Sequence, residues 1–431
     1  MVTRRRLIVA AASAPVVLAG CKVRTINYFP PTPADVRFVN LAVDSPGIDV
    51  RVGDSTLWSG VAFEQVTPYV ELDNEQTTFQ LFATTLGQEV ANVTISLAGE
   101  QAYTLLSYGT VALTFALVAP DTSSNAGDGN FLFRVVNVAA SLPAFDIYIA
   151  DPAIPVDDNL SPNFSNLQSG SSTIALRLSI GTYSVRLAVA GTKSVVYDSG
   201  PQVFGGNLST DFVAYTLGTA SLPQGMQLDV NEGGTQAVLP NRVASARIVN
   251  GAVQTGAIDV SIADTSVASA LAYATSTTYE FITAGSSLVT AQATSTPGAA
   301  IATLQAEFGS ARESTLVVLG LPGATRILAF LDDNRLPVAG AASVRFVNAS
   351  SDTAAYDVFV GDTKLVSALV AGAASLYLPI VAGTNTVTFR DPGTGAVALT
   401  IADLAFGDGN VKSIFAVGTA GALASIVNSD R

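Results

Sequence analysis

The chain has 431 residues, of which 49% are apolar and only 13% charged, and it contains no histidine. The net charge of −13 argues against nucleic acid and anionic headgroups as partners. The lack of histidine removes Ser-His-Asp and Cys-His catalysis and histidine-bound metals. Val, Ala, Thr, Gly and Ser dominate, and no window sustains a 3.6-residue period, so short strands and turns are expected rather than helices.

Residues 1–20 read as a lipoprotein signal peptide. Arg4, Arg5 and Arg6 form a basic start, and residues 7–18 an apolar stretch broken by Ser13 and Pro15. That stretch is too short for a bilayer, which needs about 20 residues. It ends Leu18-Ala19-Gly20-Cys21, the pattern of a lipobox, and Cys21 is the only cysteine. Cys21 is therefore the expected lipid-attachment residue, and several acyl chains would hold it stably in a membrane. Arg4-Arg5-Arg6-Leu7-Ile8 also resembles a twin-arginine export signal. Lys22 after the cysteine points to the outer membrane of a Gram-negative cell. Cleavage would leave 18 basic against 34 acidic residues, a net charge of −16.

Residues 21–33, with Pro30-Pro31-Thr32-Pro33, read as a stiff tether. Beyond it one signature occurs four times, as Val36-Arg37-Phe38-Val39-Asn40, Phe133-Arg134-Val135-Val136-Asn137, Ala246-Arg247-Ile248-Val249-Asn250 and Val344-Arg345-Phe346-Val347-Asn348. An Asp follows nine residues after each Asn (Asp49, Asp146, Asp259, Asp357), and a second fourteen after it (Asp54, Asp151, Asp264, Asp362). A period of about 100 residues fits a complete small domain better than a solenoid unit. Four repeats follow, at 34–121, 130–232, 243–333 and 342–431, with 121–130, 233–242 and 334–340 as connectors by composition. A Tyr lies 29 residues after the Asn in repeats one, three and four (Tyr69, Tyr279, Tyr377). Repeat two is longer, and the Pro- and Asp-rich stretch 152–163 is the expected surface insertion.

Stretches such as Ile48-Asp49-Val50-Arg51-Val52 alternate apolar and polar residues, which gives each strand one buried face. Six to eight such strands per repeat predict an all-β chain of four tandem immunoglobulin-like antiparallel β-sandwich domains. Placed end to end, four domains of about 35 Å would reach on the order of 140 Å.

The repeated Arg sits among apolar neighbours, so its strand is expected to be covered on both faces. A buried guanidinium is costly unless paired. The nearest Asp suggests structural ion pairs Arg37–Asp49, Arg134–Asp146, Arg247–Asp259 and Arg345–Asp357 across a first hairpin. The repeated Asn fits an Asx turn, and the second Asp a turn bonded to its own amides. Calcium at the second Asp is the sharper alternative, but no stretch matches an EF-hand loop, and no metal or cofactor is expected. The recurring Ser59, Ser269 and Ser367 are matched by no repeated lysine among the four in the chain, which disfavours a Ser-Lys dyad. Trp58 has small counterparts, Ala268 and Val366, so local packing suits it better than sugar stacking.

The Val-Arg-Phe-Val-Asn…Asp-Val pattern, the Gly-Asp turn and Phe330-Leu331-Asp332-Asp333-Asn334-Arg335-Leu336-Pro337 resemble domain-of-unknown-function family 4397, found in tandem in bacterial surface and secreted proteins. The likeness covers nearly all of the chain after the signal. Family members usually carry His where this chain has Asn40, Asn137, Asn250 and Asn348, so no role of that His carries over. The resemblance implies a fold and a location and transfers no catalytic residue. The expected protein is a non-enzymatic, lipid-anchored envelope protein serving as a spacer, adhesion or interaction module. The alternative is a lipoprotein that binds an envelope glycan or peptide.

Overall fold

A computed structural model describes residues 32–73, 75–121, 125–230, 236–352 and 354–431. The signal segment, Cys21 and most of the tether lie outside the described residues. Every regular element described is a β-strand. In the first repeat these are β1 (Ala34–Ala42), β2 (Ile48–Val52), β3 (Ser55–Val61), β4 (Val70–Leu72), β5 (Gln76–Ala83), β6 (Gln88–Ser96), β7 (Ala102–Thr110) and β8 (Leu113–Pro120). They form two sheets, ordered β4-β1-β7-β8 and β3-β2-β5-β6. Neighbours run antiparallel except β1 and β7, which run parallel. The third and fourth repeats repeat both sheets.

The sheets pack face to face because each strand alternates. Ile48 and Val50 of β2, and Phe79 and Leu81 of β5, are buried and meet Val36, Phe38 and Leu105 of the other sheet. Trp58 lies half-buried on this core, stacked 6.2 Å from Phe38, in the packing role its sequence context suggests.

β1 departs from the alternation and is buried along nearly its whole length, which requires cover on both faces. Val36 and Phe38 face the repeat's own core, while Val39 and Leu41 face the second repeat. There they join Leu106, Val136, Val138, Val213, Tyr215, Met226 and Leu228 in one shared cluster. Repeats three and four share a cluster of the same kind, built from Val249, Val317, Leu319, Val347, Phe415 and Val417. Each such Val or Leu contributes about 1.5–3 kcal/mol when fully buried. The four repeats are therefore packed as two pairs, sheet on sheet, and the end-to-end arrangement expected from the sequence does not hold.

Two connectors also carry structure. Gln236–Leu239, expected as linker, is a strand added to the edge strand Pro223–Asp229. In the same connector Asn241 donates to the carbonyls of Val196 and Pro223 at 2.8 and 2.9 Å. Glu313 accepts from the Ser221 amide and from Asn334, so repeats two and three also touch.

Candidate functional site

The repeated polar residues converge at the interfaces inside each pair. The parallel register sets Arg37 beside Thr104, Arg247 beside Thr315 and Arg345 beside Ser413. Each Arg Nε donates to that hydroxyl, at 2.8, 2.8 and 3.2 Å. The hydroxyl donates onward to an Asp just past the last strand: Thr104 to Asp121 (2.7 Å), Thr315 to Asp332 (2.7 Å) and Ser413 to Asp430 (2.6 Å). The recurring Tyr closes the unit. Its hydroxyl donates to the same Asp, at 2.6 Å from Tyr69, 2.5 Å from Tyr279 and 2.9 Å from Tyr377. Its ring lies 4.8 Å from the guanidinium carbon in all three cases, a cation–π contact.

The carboxylate partners cross between repeats. Arg345 of the fourth repeat meets Asp332 of the third at 2.6 Å and donates to the Leu331 carbonyl at 3.2 Å. Arg247 of the third meets Asp430 of the fourth at 2.5 Å and lies 4.0 Å from Asp332. Asp332 and Asp430 have fully buried side chains, so water contributes little screening and each charge depends on its partner. Burial alone would depress Arg247. Asp430, with Tyr279 and Asp332, outweighs it and holds the guanidinium charged. Burial, with the neighbouring Asp121 charge, likewise pushes Tyr69 far up, so its hydroxyl remains a donor.

The second repeat reaches the same balance with different residues. Asp211 stands at the hydroxyl position, in register with Arg134, which forks onto both its oxygens. Arg134 also lies 3.7 Å from Asp121 of the first repeat and donates to the Pro120 carbonyl. Arg37 reaches back to the Asp229 carbonyl at 3.5 Å. The equivalent of Tyr69 here is Ala175, two residues beyond the Thr173 that caps Val135 as Thr67 caps Phe38.

The pairs Arg37–Asp49, Arg134–Asp146, Arg247–Asp259 and Arg345–Asp357 do not form. β1 and β2 belong to different sheets, so the link between them is a crossover and not a hairpin. The two side chains leave on different layers. Each of these Asp residues instead pins a bulge on its own sheet. Asp49 accepts from the Gly60 amide (2.7 Å), Asp146 from Asn166 (2.8 Å), Asp259 from Ala270 (2.7 Å) and Asp357 from Ala368 (2.8 Å). All four donors have positive φ, at 63°, 57°, 48° and 46°, and the strand register shifts at each. An extra residue in a β-ladder leaves an unpaired amide, and the carboxylate satisfies it.

The repeated Asn does more than make an Asx turn. Its Oδ1 accepts from the amide two residues on, at 3.0–3.1 Å. Its Nδ2 crosses to the other sheet, to Val61, Leu167, Leu271 and Leu369 carbonyls at 2.8–2.9 Å. Of the second Asp series, Asp151 bonds a turn amide, that of Ala153. Asp121, read as linker, is a central member of the cluster. Its recurrence as Asp332 and Asp430, 81 or 82 residues after each Asn, was the signal available to find it.

A family model described as domain of unknown function, DUF4397, matches residues 34–148, 244–355 and 342–431. Residues 149–243 fall outside the matches; this stretch carries the insertion, Ala175 and Asp211. No curated protein matches the sequence. Among solved structures, the family 26 carbohydrate-binding module of Eubacterium rectale Amy13K, in complex with maltoheptaose, is 11% identical with a TM-score of 0.15, covering 48% of this chain and 96% of that one. The Bacillus anthracis TIE protein is 8% identical with a TM-score of 0.14, covering 88% of this chain and 66% of that one. Neither likeness bears on function. The family matches span well over half of the sequence, and the chain belongs to the DUF4397 family.

Proposed function

We propose that the protein is a non-catalytic interaction module of the bacterial cell envelope, anchored to the outer membrane through lipid on Cys21. One observation carries the interaction reading: most of the residues shared by the repeats are buried or half-buried and turned to contacts within the protein. The Arg, Tyr and Asp side chains lock repeats into pairs, the Asn ties sheet to sheet, and the first Asp holds a bulge. What differs between repeats is then free to meet a partner, above all the insertion at 152–163.

Anchoring is supported by the Leu18-Ala19-Gly20-Cys21 pattern. Cells making the chain, labelled with an alkyne palmitate, test it. Label and membrane retention in the parent, both lost in Cys21→Ala, are expected. An unlabelled, freely soluble parent would overturn the anchor. Envelope cross-linking tests the interaction: a defined adduct lost on shortening the insertion supports it, and adducts indifferent to that change contradict it.

A further inference from the structure

A cleft of about 450 Å³ opens at the junction of repeats two and three. Its lining includes Pro155 and Val156 of the insertion, Arg186 and Asp198 of repeat two, Arg242 of the connector, and Ile262, Phe281 and Ile282 of repeat three. The insertion is built into this wall. Arg186 donates to the carbonyls of Ile154 and Pro152 at 2.5 and 2.7 Å and lies 3.6 Å from Asp198. Lys193 holds the far end through the Leu160 carbonyl at 2.5 Å.

The two guanidiniums differ in what they have left to offer. Arg186 is buried, and its donors and charge are taken up by the insertion and Asp198. Arg242 is exposed, and its side chain makes no hydrogen bond or ion pair among the described residues. In the same cleft Phe281 leaves 47% of its surface uncovered, and the rest of the lining mixes Val195, Val243 and Ile262 with Thr265, Thr283 and Ser287. In a chain this acidic, one uncommitted guanidinium in the same cleft as an exposed aromatic ring suits a single negative charge on an apolar body. A polyanion would be disfavoured by the net charge of −13 carried by the whole chain.

We infer that this cleft binds a small monocarboxylate with an aliphatic or aromatic body, its carboxylate on Arg242 and its body against Phe281. The inference does not depend on the anchor at Cys21. The test is calorimetric titration of the chain from residue 22 with octanoate and, separately, octanamide. Saturable octanoate binding is expected, weakened about ten-fold or more in Arg242→Gln and for the amide, as loss of a charge-assisted contact implies. Phe281→Ala should weaken both probes together. Both residues are exposed, so these variants leave the core untouched. The inference is overturned if octanoate does not saturate, if the amide binds as well as the acid, or if Arg242→Gln binds like the parent.

Discussion

Replacing Arg345 by Met and Asp332 by Asn, singly and together, measures the bond that ties repeat four to repeat three. Both side chains are almost fully buried and 2.6 Å apart. Removing one partner of a buried pair costs about 3–5 kcal/mol. Asp332 would keep the hydroxyls of Thr315 and Tyr279, with Arg247 at 4.0 Å, which places Arg345→Met near 3 kcal/mol. The double variant leaves neither charge unmet, so the cycle should return a coupling of about 2 kcal/mol. A chain of paired repeats does not unfold in two states, so the readout is native-state hydrogen exchange over residues 411–419. The same cycle on Arg345 and Asp357, neighbours in sequence only, should give a coupling within about 0.5 kcal/mol of zero. Strong coupling to Asp357 with none to Asp332 would refute the assignment of partners.

Other outcomes follow from the same contacts. Gly60→Ala should cost about 1 kcal/mol through its positive φ alone, since no atom lies within 4 Å of the added Cβ. Ala270→Gly and Ala368→Gly should each stabilise by a comparable amount in thermal melts, and destabilisation by both would contradict a strained bulge. Asn348→Ala removes two bonds to carbonyls of the facing segments and two accepted from Ser350. It should cost about 2–3 kcal/mol by native-state hydrogen exchange over residues 344–350, and a loss below about half a kcal/mol would sink the bridging role. Burial pushes the Asp49 carboxyl up, but the Gly60 amide and the hydroxyls of Thr84 and Ser59 outweigh it and hold it below 3.8. That stability is present above pH 3.8 and is lost as pH falls through the lower folded value. Melting temperatures from pH 5 to 2, compared with Asp49→Asn, should show a shallower acid loss in the variant; identical slopes would contradict it.

Much of this fold was legible in the sequence. The fourfold Arg and Asn marked equivalent strands, and Arg37 among apolar neighbours implied cover on both faces. The choice of Asp49 as partner failed because sequence proximity cannot reveal that β1 and β2 lie in different sheets. The true partner of Arg345, Asp332, lies in another repeat, and that of Arg247, Asp430, lies 183 positions on. Only tertiary packing brings such residues together. The second repeat hid the pattern further by moving its carboxylate to Asp211 and replacing Tyr with Ala175. Arg242 and Phe281 carry no repeat signal at all, so the cleft was invisible before the junction was built.

Small-angle X-ray scattering on the chain from residue 22 tests pairwise packing most directly. With sheets about 10 Å apart, the four layers of a pair occupy about 40 Å, so each pair scatters as one lobe where a string of domains would give two. The expected result is two lobes and a maximum dimension well short of the length of four domains in a row. Four separate lobes extending to about 140 Å, the length of a string of domains, would contradict it.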